Sequence, residues 1–240
     1  MEVHASKADP ALPRHRHLSG QVAMALSGTF ACDIEGQLHM AAPGAAIWIP
    51  PGLTHTNRFD MDGSACFMYL KDGIAGLPAE PCTLVIHELL GELIKDLARR
   101  PVEYEPDSLQ SRLISVTLEL LRAAPVKRWT VPVPKDRRLR MLMDEILACP
   151  RVRGSAADFA VRLGMSERTF TRRVQQDVGM SFCRWRQQLH LMLAVQWLRQ
   201  GASVQRVADD LGYESVTGFI LMFRKVLGKP PAQYVAYQRA

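Results

Sequence analysis

No apolar run in the 240 residues approaches the roughly 18 that a membrane-spanning helix needs, so a helical membrane protein is excluded. The first ten residues carry Glu2, Lys7 and Asp9 with no apolar core, so no secretory leader is expected. Cysteine is scarce and odd in number: Cys32, Cys66, Cys82, Cys149 and Cys183 include no C-x-x-C pair. This argues against a disulfide framework or a zinc knuckle and fits a reducing cytoplasm. At 48% hydrophobic and 22% charged, the composition is neither disordered nor fibrous. The length suits one large domain or two small ones.

What is present is divided unevenly. Residues 1–124 carry 10 Lys/Arg against 15 Asp/Glu, whereas residues 125–240 carry 20 against 9. Six of the seven histidines lie in the acidic part, leaving His190 alone in the basic one. A basic half joined to an acidic half suggests a polyanion-binding module attached to something else. Charge clustered by chance on solvated helices would look the same, so charge alone decides nothing.

The pattern along the chain also changes character. Gln21–Ser27, Thr29–Ile34, Leu38–Ala41 and Ala45–Ile49 are short β-like segments between Ser27-Gly28, Glu35-Gly36, Pro43-Gly44 and Pro50-Pro51-Gly52. Strands of this length and spacing predict an antiparallel sandwich or small barrel. Helical periodicity follows. Ile86, Leu89, Leu90, Leu93 and Leu97 share one face, and Leu109, Leu113, Val116 and Leu120 share another after the start signal Pro106-Asp107-Ser108. These two amphipathic helices would pack on each other and the barrel, or form a seam between two copies of the chain. Residues 125–135, rich in proline, read as a linker between a domain at 1–124 and another at 136–240.

The second half repeats itself. Phe159-Ala160-x-x-Leu163-Gly164 recurs as Val207-Ala208-x-x-Leu211-Gly212. One residue of insertion later, Ser166, Phe170, Val174, Gly179 and Trp185 find Ser215, Phe219, Phe223, Gly228 and Tyr234. Each copy spells helix, tight turn and helix. Ser155 with Asp158 forms a capping-box signature, Ser166, Ser203 and Ser215 are N-cap candidates, and Gly179 and Gly228 are stops. Two short helices around such a turn predict a helix-turn-helix, and two in register strengthen the signal.

DNA reading sorts the faces of each second helix. Phe170 and Val174 lie four apart and point to the core, leaving Arg168, Thr171, Arg172 and Gln175 on the opposite side. Arginine on a helix in the major groove can pair bidentately with guanine. The same face of the second copy offers Val216, Thr217, Ile220 and Leu221, with Arg224 and Lys225 further along. Without an early arginine it would meet thymine methyls or the backbone and read sequence more weakly. Between the copies, Phe182–Gln200 is apolar nearly all round, as a central strut packed on both sides would be.

Residues 136–238 resemble the DNA-binding domain of AraC/XylS-type transcription regulators. The resemblance rests on Leu163-Gly164-Met165-Ser166-Glu167-Arg168, Arg172, Gly179, Ala194, Val207-Ala208, Leu211-Gly212-Tyr213-Glu214-Ser215, Phe219, Phe223-Arg224, Gly228 and Pro231-x-x-Tyr234. It implies two helix-turn-helix subdomains joined by a long helix and inserted into successive major grooves. The family's base-facing positions fall on Arg168, Thr171, Arg172, Thr217, Ile220 and Leu221. Two departures stand out: His190 replaces an arginine usual on the connecting helix, and Leu221 replaces a base-reading arginine of some members.

In the first half, His15-x-His17-x-x-x-Gln21 with Gly28, then Gly44, Pro50, Gly52 and His55, resembles the two cupin signatures. Gln21 stands in place of the usual glutamate, and Phe59 stands where the second signature often ends in asparagine. Alternation on a strand lets His15 and His17 point inward together, where His55 can join them. Three imidazoles and a carboxamide would suit zinc, nickel, manganese or iron, though the missing carboxylate disfavours hard ions. The same histidines could equally be satisfied interior residues or direct effector contacts. Trp48 and Tyr69 read as core.

The expected class is therefore α+β: a cupin-like antiparallel β-barrel with two amphipathic helices, then an all-α domain of two helix-turn-helix units on a long helix. The expected function is a cytoplasmic, non-enzymatic transcription regulator binding double-stranded operator DNA and a small-molecule effector. RNA polymerase and a second copy of the chain are further candidate partners, and a membrane is not. One competing reading is a metal-dependent cupin enzyme, such as a dioxygenase or isomerase, with an accessory nucleic-acid domain. The signatures supply no acid or base beyond the candidate ligands. A sequence-indifferent DNA-coating protein is disfavoured by Arg168 and Arg172.

Overall fold

Turns built on Gly28, Gly36, Gly44 and Gly52, all with positive φ, break the first half of the chain into short strands. In a computed structural model that describes residues 2–7, 13–59, 64–71 and 76–234, these are β1 (Glu2–Lys7), β2 (Gly20–Ser27), β3 (Phe30–Ile34), β4 (Gln37–Ala41), β5 (Ala45–Ile49), β6 (His55–Phe59), β7 (Ser64–Leu70) and β8 (Cys82–Val85). Two helices follow, α1 (Glu88–Leu97) and α2 (Leu109–Ala123), then a two-residue strand, β9 (Val126–Lys127). The chain divides into two units, Met1–Thr130 and Val131–Ala240.

The first unit is antiparallel. One sheet runs β1-β7-β2-β5-β8-β9, and a second pairs β4, β3 and β6 in that order. The two sheets face each other, but among the described residues no hydrogen-bonded strand closes them into the expected barrel. Side chains fill the space between them. Ala23, Ala25, Ile47, Ile49 and Phe67 from the first sheet meet Phe30, Cys32 and Ile34 from the second. The alternate residues Val22, Met24, Trp48 and Met68 point the other way and pack against α1 and α2. The first sheet is thus buried on both faces, which explains why β2 and β5 read as near-continuous apolar runs.

The helix faces match the sequence expectation only in part, Ile86, Leu90 and Leu97 being buried as expected. On α1 the buried residues are Leu90, Gly91, Ile94 and Leu97, while Leu89 stays 59% exposed. On α2 they are Ile114, Thr117 and Leu121, while Leu109 and Val116 are exposed. Each helix carries an apolar arc wider than the sheet can cover, and docking buries one edge of it. The stretch read as a linker, 125–135, is also structured. Val126–Lys127 pairs with β8, and Val131–Pro132 forms the short strand β10 in the second unit.

That second unit is helical: α3 (Arg137–Ala148), α4 (Ala156–Arg162), α5 (Glu167–Val178), α6 (Phe182–Arg199), α7 (Val204–Asp210) and α8 (Val216–Leu227). The serine starts Ser155, Ser166, Ser203 and Ser215 act as read, and Ser181 adds another. Ser155 and Asp158 form a reciprocal capping box, and Ser166, Ser181, Ser203 and Ser215 each accept the backbone N–H three residues on. Such caps contribute on the order of 1 kcal/mol each. Gly179 and Gly228 end α5 and α8 in left-handed geometry, at φ 74° and 79°. Helix α3 is not among the elements expected from the sequence. Its start at Asp136, with Leu139, Leu142, Met143 and Ile146 buried at helical spacing, was nevertheless available in the residues.

Candidate nucleic-acid interface and histidine cluster

The repeat is structural. Phe159 and Val207, Phe170 and Phe219, and Val174 and Phe223 are all fully buried, so matched positions anchor both copies. In the first, Phe182 packs against Phe159 and Phe170, each with ring centroids 5.0 Å away. In the second, Tyr213, Phe219, Phe223 and Tyr234 form a chain of edge-on contacts. The strut α6 buries Trp185, Leu189, Leu191, Met192, Leu193 and Leu198 around most of its circumference. Trp185 also donates its indole N–H to the Pro132 carbonyl at 3.0 Å.

Fixing Phe170, Val174 and Val178 inward leaves Arg168, Thr171, Arg172 and Gln175 outward, and all four are exposed. Arg173 is tied to Asp136 at 3.2 Å, whereas Arg168 and Arg172 have no ion-pair partner among the described residues. The Thr171 hydroxyl donates back to the Glu167 carbonyl at 2.9 Å, which engages its proton within the helix. On α8, Thr217, Leu221, Arg224 and Lys225 are exposed, and Val216 and Ile220 are half-buried. The two faces therefore present the same offsets with different chemistry: cationic and polar on α5, apolar first and cationic only in the last turn on α8.

His190 sits on α6, buried near the second copy, with its ring 6.1 Å from Tyr213 and no hydrogen-bond partner for Nε2 among the described residues. Burial, aided by Arg186, holds it well below the usual imidazole range, at about 4. It is neutral at physiological pH and cannot supply the positive charge of the arginine that the family resemblance leads one to expect there.

In the first unit the chain itself gathers the three histidines. His15 and His55 exchange backbone hydrogen bonds at 3.0 and 2.9 Å, and the Gly52 N–H donates to the His17 carbonyl at 2.9 Å. The segment preceding β2 is thereby laid along the start of β6. The His15, His17 and His55 rings lie 4.4 to 6.0 Å apart, and one ligating nitrogen from each is within 4.8 Å of the other two. Gln21, fully buried on β2, places Oε1 2.7 Å from His17 Nε2. Burial lowers the pKa of His55 to about 4, so it too is a neutral imidazole. Tyr69, read from sequence as core, is half-buried with its ring edge-on to His17 at 5.2 Å, on the rim of the cluster. The Phe59 side chain lies outside the described residues. Trp48 is core: its indole N–H donates to the Pro78 carbonyl at 2.7 Å.

Two matched helix-turn-helix units on one strut define a DNA-binding transcription regulator. The helix-turn-helix domain family matches over residues 159–237. Over 234 residues the chain is 36% identical to the HTH-type transcriptional regulator NimR of Escherichia coli (strain K12), covering 98% of this chain and 86% of that one. It is 24% identical over 160 residues to a putative AraC-like transcription regulator of Streptomyces lividans, covering 63% and 44%. Among solved structures, the DNA-binding domain of the global transcriptional factor AdpA in complex with a target DNA is 28% identical, covering 43% of this chain and 95% of that one at a TM-score of 0.41. The chain belongs to the AraC-type helix-turn-helix transcriptional regulators. Among the described residues no helix is long and apolar enough to cross a membrane.

Proposed function

We propose that this regulator recognises a specific operator by laying α5 and α8 into successive major grooves of double-stranded DNA. Arg168 and Arg172 pair with guanine edges, while Thr171 and Gln175 complete that half-site. In the second half-site Thr217, Ile220 and Leu221 offer apolar contact, and Arg224 and Lys225 neutralise phosphates. The observation that carries this reading is that Arg168 and Arg172 are exposed, with no ion-pair partner among the described residues, on a helix whose opposite face is locked into the core. The first unit serves as a cupin-like sensor for a small effector, with His15, His17, Gln21 and His55 as the binding residues, and has no enzymatic role. Effector binding biases the helical unit, or a pairing of two chains, between arrangements of different DNA affinity, and RNA polymerase receives the output in the cytoplasm. Selection of duplexes from a random pool by the full chain tests this reading. A two-block motif about 10 base pairs from centre to centre supports it, and failure to enrich any motif overturns it.

A further inference from the structure

The helical unit contains a cleft of about 560 Å³ between its two helix-turn-helix copies. Three parts of the chain meet around it: the loop at 152–154 before α4, the strut α6, and the turn at 211–215 with the start of α8. The loop and the turn touch beside it, because a Cβ on Gly212 would lie 2.9 Å from the Arg151 carbonyl oxygen. A volume of this size falls in the range of small-ligand sites, about 300–1,000 Å³.

His190 lines the deep part of this cleft. It is only 7% exposed, yet its Nε2 has no hydrogen-bond partner among the described residues. A buried polar atom left in that state costs about 1–3 kcal/mol, a loss that an occupant of the cleft would remove. The imidazole is also shorter than the arginine that the family resemblance leads one to expect there, so it fills less of the space.

The charge around the cleft selects the occupant. Arg153 and Arg186 line it against one carboxylate, that of the exposed Glu214. Arg186 donates one N–H to the Gly154 carbonyl at 2.8 Å and lies over the Phe159 and Phe182 rings, 5.8 and 5.4 Å from their centroids. Its guanidinium is therefore held in place, while no ion pair among the described residues neutralises its charge. Ser215 and Gly218 bring the N-terminal end of α8 to the same cleft, adding a partial positive charge. Leu211 and Met222 supply an apolar wall.

We infer that this cleft binds a small organic carboxylate, with its charge on Arg186 and Arg153, one oxygen accepting from His190 Nε2–H, and its apolar body against Leu211 and Met222. DNA phosphate is the other anion this unit meets, but a duplex backbone cannot reach an imidazole so deeply buried. None of the lining residues belongs to the first unit, so the site is separate from the histidine cluster. An occupant gripped by both copies and the strut biases the placement of α8 relative to α5, and with it DNA affinity. That consequence rests on the operator reading; the site itself does not.

The test uses the full chain with Cys149→Ser, which leaves Cys183, on the cleft, as the one exposed thiol of the five cysteines. Alkylation of Cys183 by iodoacetamide is followed with phenylacetate or cyclohexanecarboxylate present, and with the uncharged amides of the same shape. Saturable protection by the acids is expected, at least about tenfold weaker for the amides. His190→Phe keeps a ring in the core but removes the nitrogen, and should weaken protection about tenfold while a cooperative melt shows that it folds. Arg186→Gln should weaken protection at least as much; should it fail to fold, His190→Phe carries the comparison. Saturating acid should also change operator affinity by at least about fivefold. No saturable protection by either acid, equal protection by the amides, or unchanged protection in His190→Phe would overturn the site. Protection without a change in operator affinity would overturn its coupling to DNA. Protection needs no DNA, so failure of the site and failure of the operator reading are told apart.

Discussion

Asp177, in the last turn of α5, accepts the backbone N–H of Asp136 at 2.9 Å and that of Lys135 at 3.1 Å, just where Asp136 caps α3. The same Asp136 carboxylate holds Arg173 of α5. The proposed reading helix is thus fastened at its far end to the start of the helical unit, and its exposed face is oriented by more than its own hydrophobic core.

Asp177→Ala should strand two backbone donors, costing about 1–2 kcal/mol for these partly exposed groups. The urea midpoint of the helical unit should fall, and operator affinity should fall with it. An unchanged midpoint with unchanged affinity would mean that α5 is held by its core alone.

Gly20→Ala tests the sheet-to-helix core. A Cβ at residue 20 would lie 2.2 Å from Cη2 of Trp48, a ring that is itself buried and tied to Pro78. Overpacking of this kind costs about 1–3 kcal/mol. Thermal melting followed by tryptophan fluorescence should show the first unit weakened while a DNA titration at low temperature stays near the parent value. Parent-like melting would show that Trp48 moves aside freely.

Acid should weaken the helical unit before it weakens most carboxylate pairs. Buried His190 titrates near 4 in the folded chain against 6.5 for a free imidazole, the main cause being burial and the second the Arg186 charge. Its contribution to stability is complete above about pH 6.5. As pH falls below 6.5 the unfolded chain binds a proton that the folded chain refuses, so stability declines by up to about 1.4 kcal/mol per pH unit until pH nears 4. His39, buried in β4 and also lowered to about 4 by burial, gives the first unit the same direction of change. Urea midpoints at pH 7 and pH 5 measure this decline, and His190→Gln should flatten the part from the helical unit. Equal midpoints at the two pH values would contradict it.

Which parts were legible in the sequence follows from how local their causes are. Ser155 with Asp158, Ser166, Ser203 and Ser215, and the left-handed Gly179 and Gly228 act within one helical turn, so the helix-turn-helix units could be read residue by residue. Repetition supplied the rest, because Phe170 and Phe219 identify each other's inward face. Strands β2 to β5 were legible for the same reason, each being bounded by its own turn, whereas β1, β6, β7 and β8 were not singled out. The buried faces of α1 and α2 were legible only in part: Leu90 and Leu97 are buried as expected, but the preference for Ile114 and Leu121 over Leu113 and Leu120 is set by the sheet they dock on. The Asp136–Asp177 tie spans 41 residues and leaves no periodic trace. The meeting of His15, His17 and His55 could be anticipated from spacing, but the backbone carbonyls of Pro13, Ser19 and Leu53 that lie within 3.0 Å of their Nδ1 atoms could not.

Unequal reading by the two copies gives a paired expectation. Arg172→Ala should cost about 1–3 kcal/mol of specific binding, because a bidentate guanine contact would be lost. Leu221→Ala should cost less, under about 1 kcal/mol for a partial apolar contact. Titrations on one selected operator compare them directly, and a Leu221 effect equal to or larger than that of Arg172 would reverse the ranking. In both variants binding should still fall steeply with added salt, as phosphate neutralisation by the remaining cations requires.

The most direct measurement is affinity across a panel of operators in which every base pair is changed in turn, for the parent chain and for Arg172→Ala. Two groups of sensitive positions about one helical turn apart are expected for the parent, and Arg172→Ala should flatten a position in one group while leaving the other intact. A single group of sensitive positions, or a loss from Arg172→Ala that is uniform over every sequence, would contradict sequence reading by α5 and α8 together.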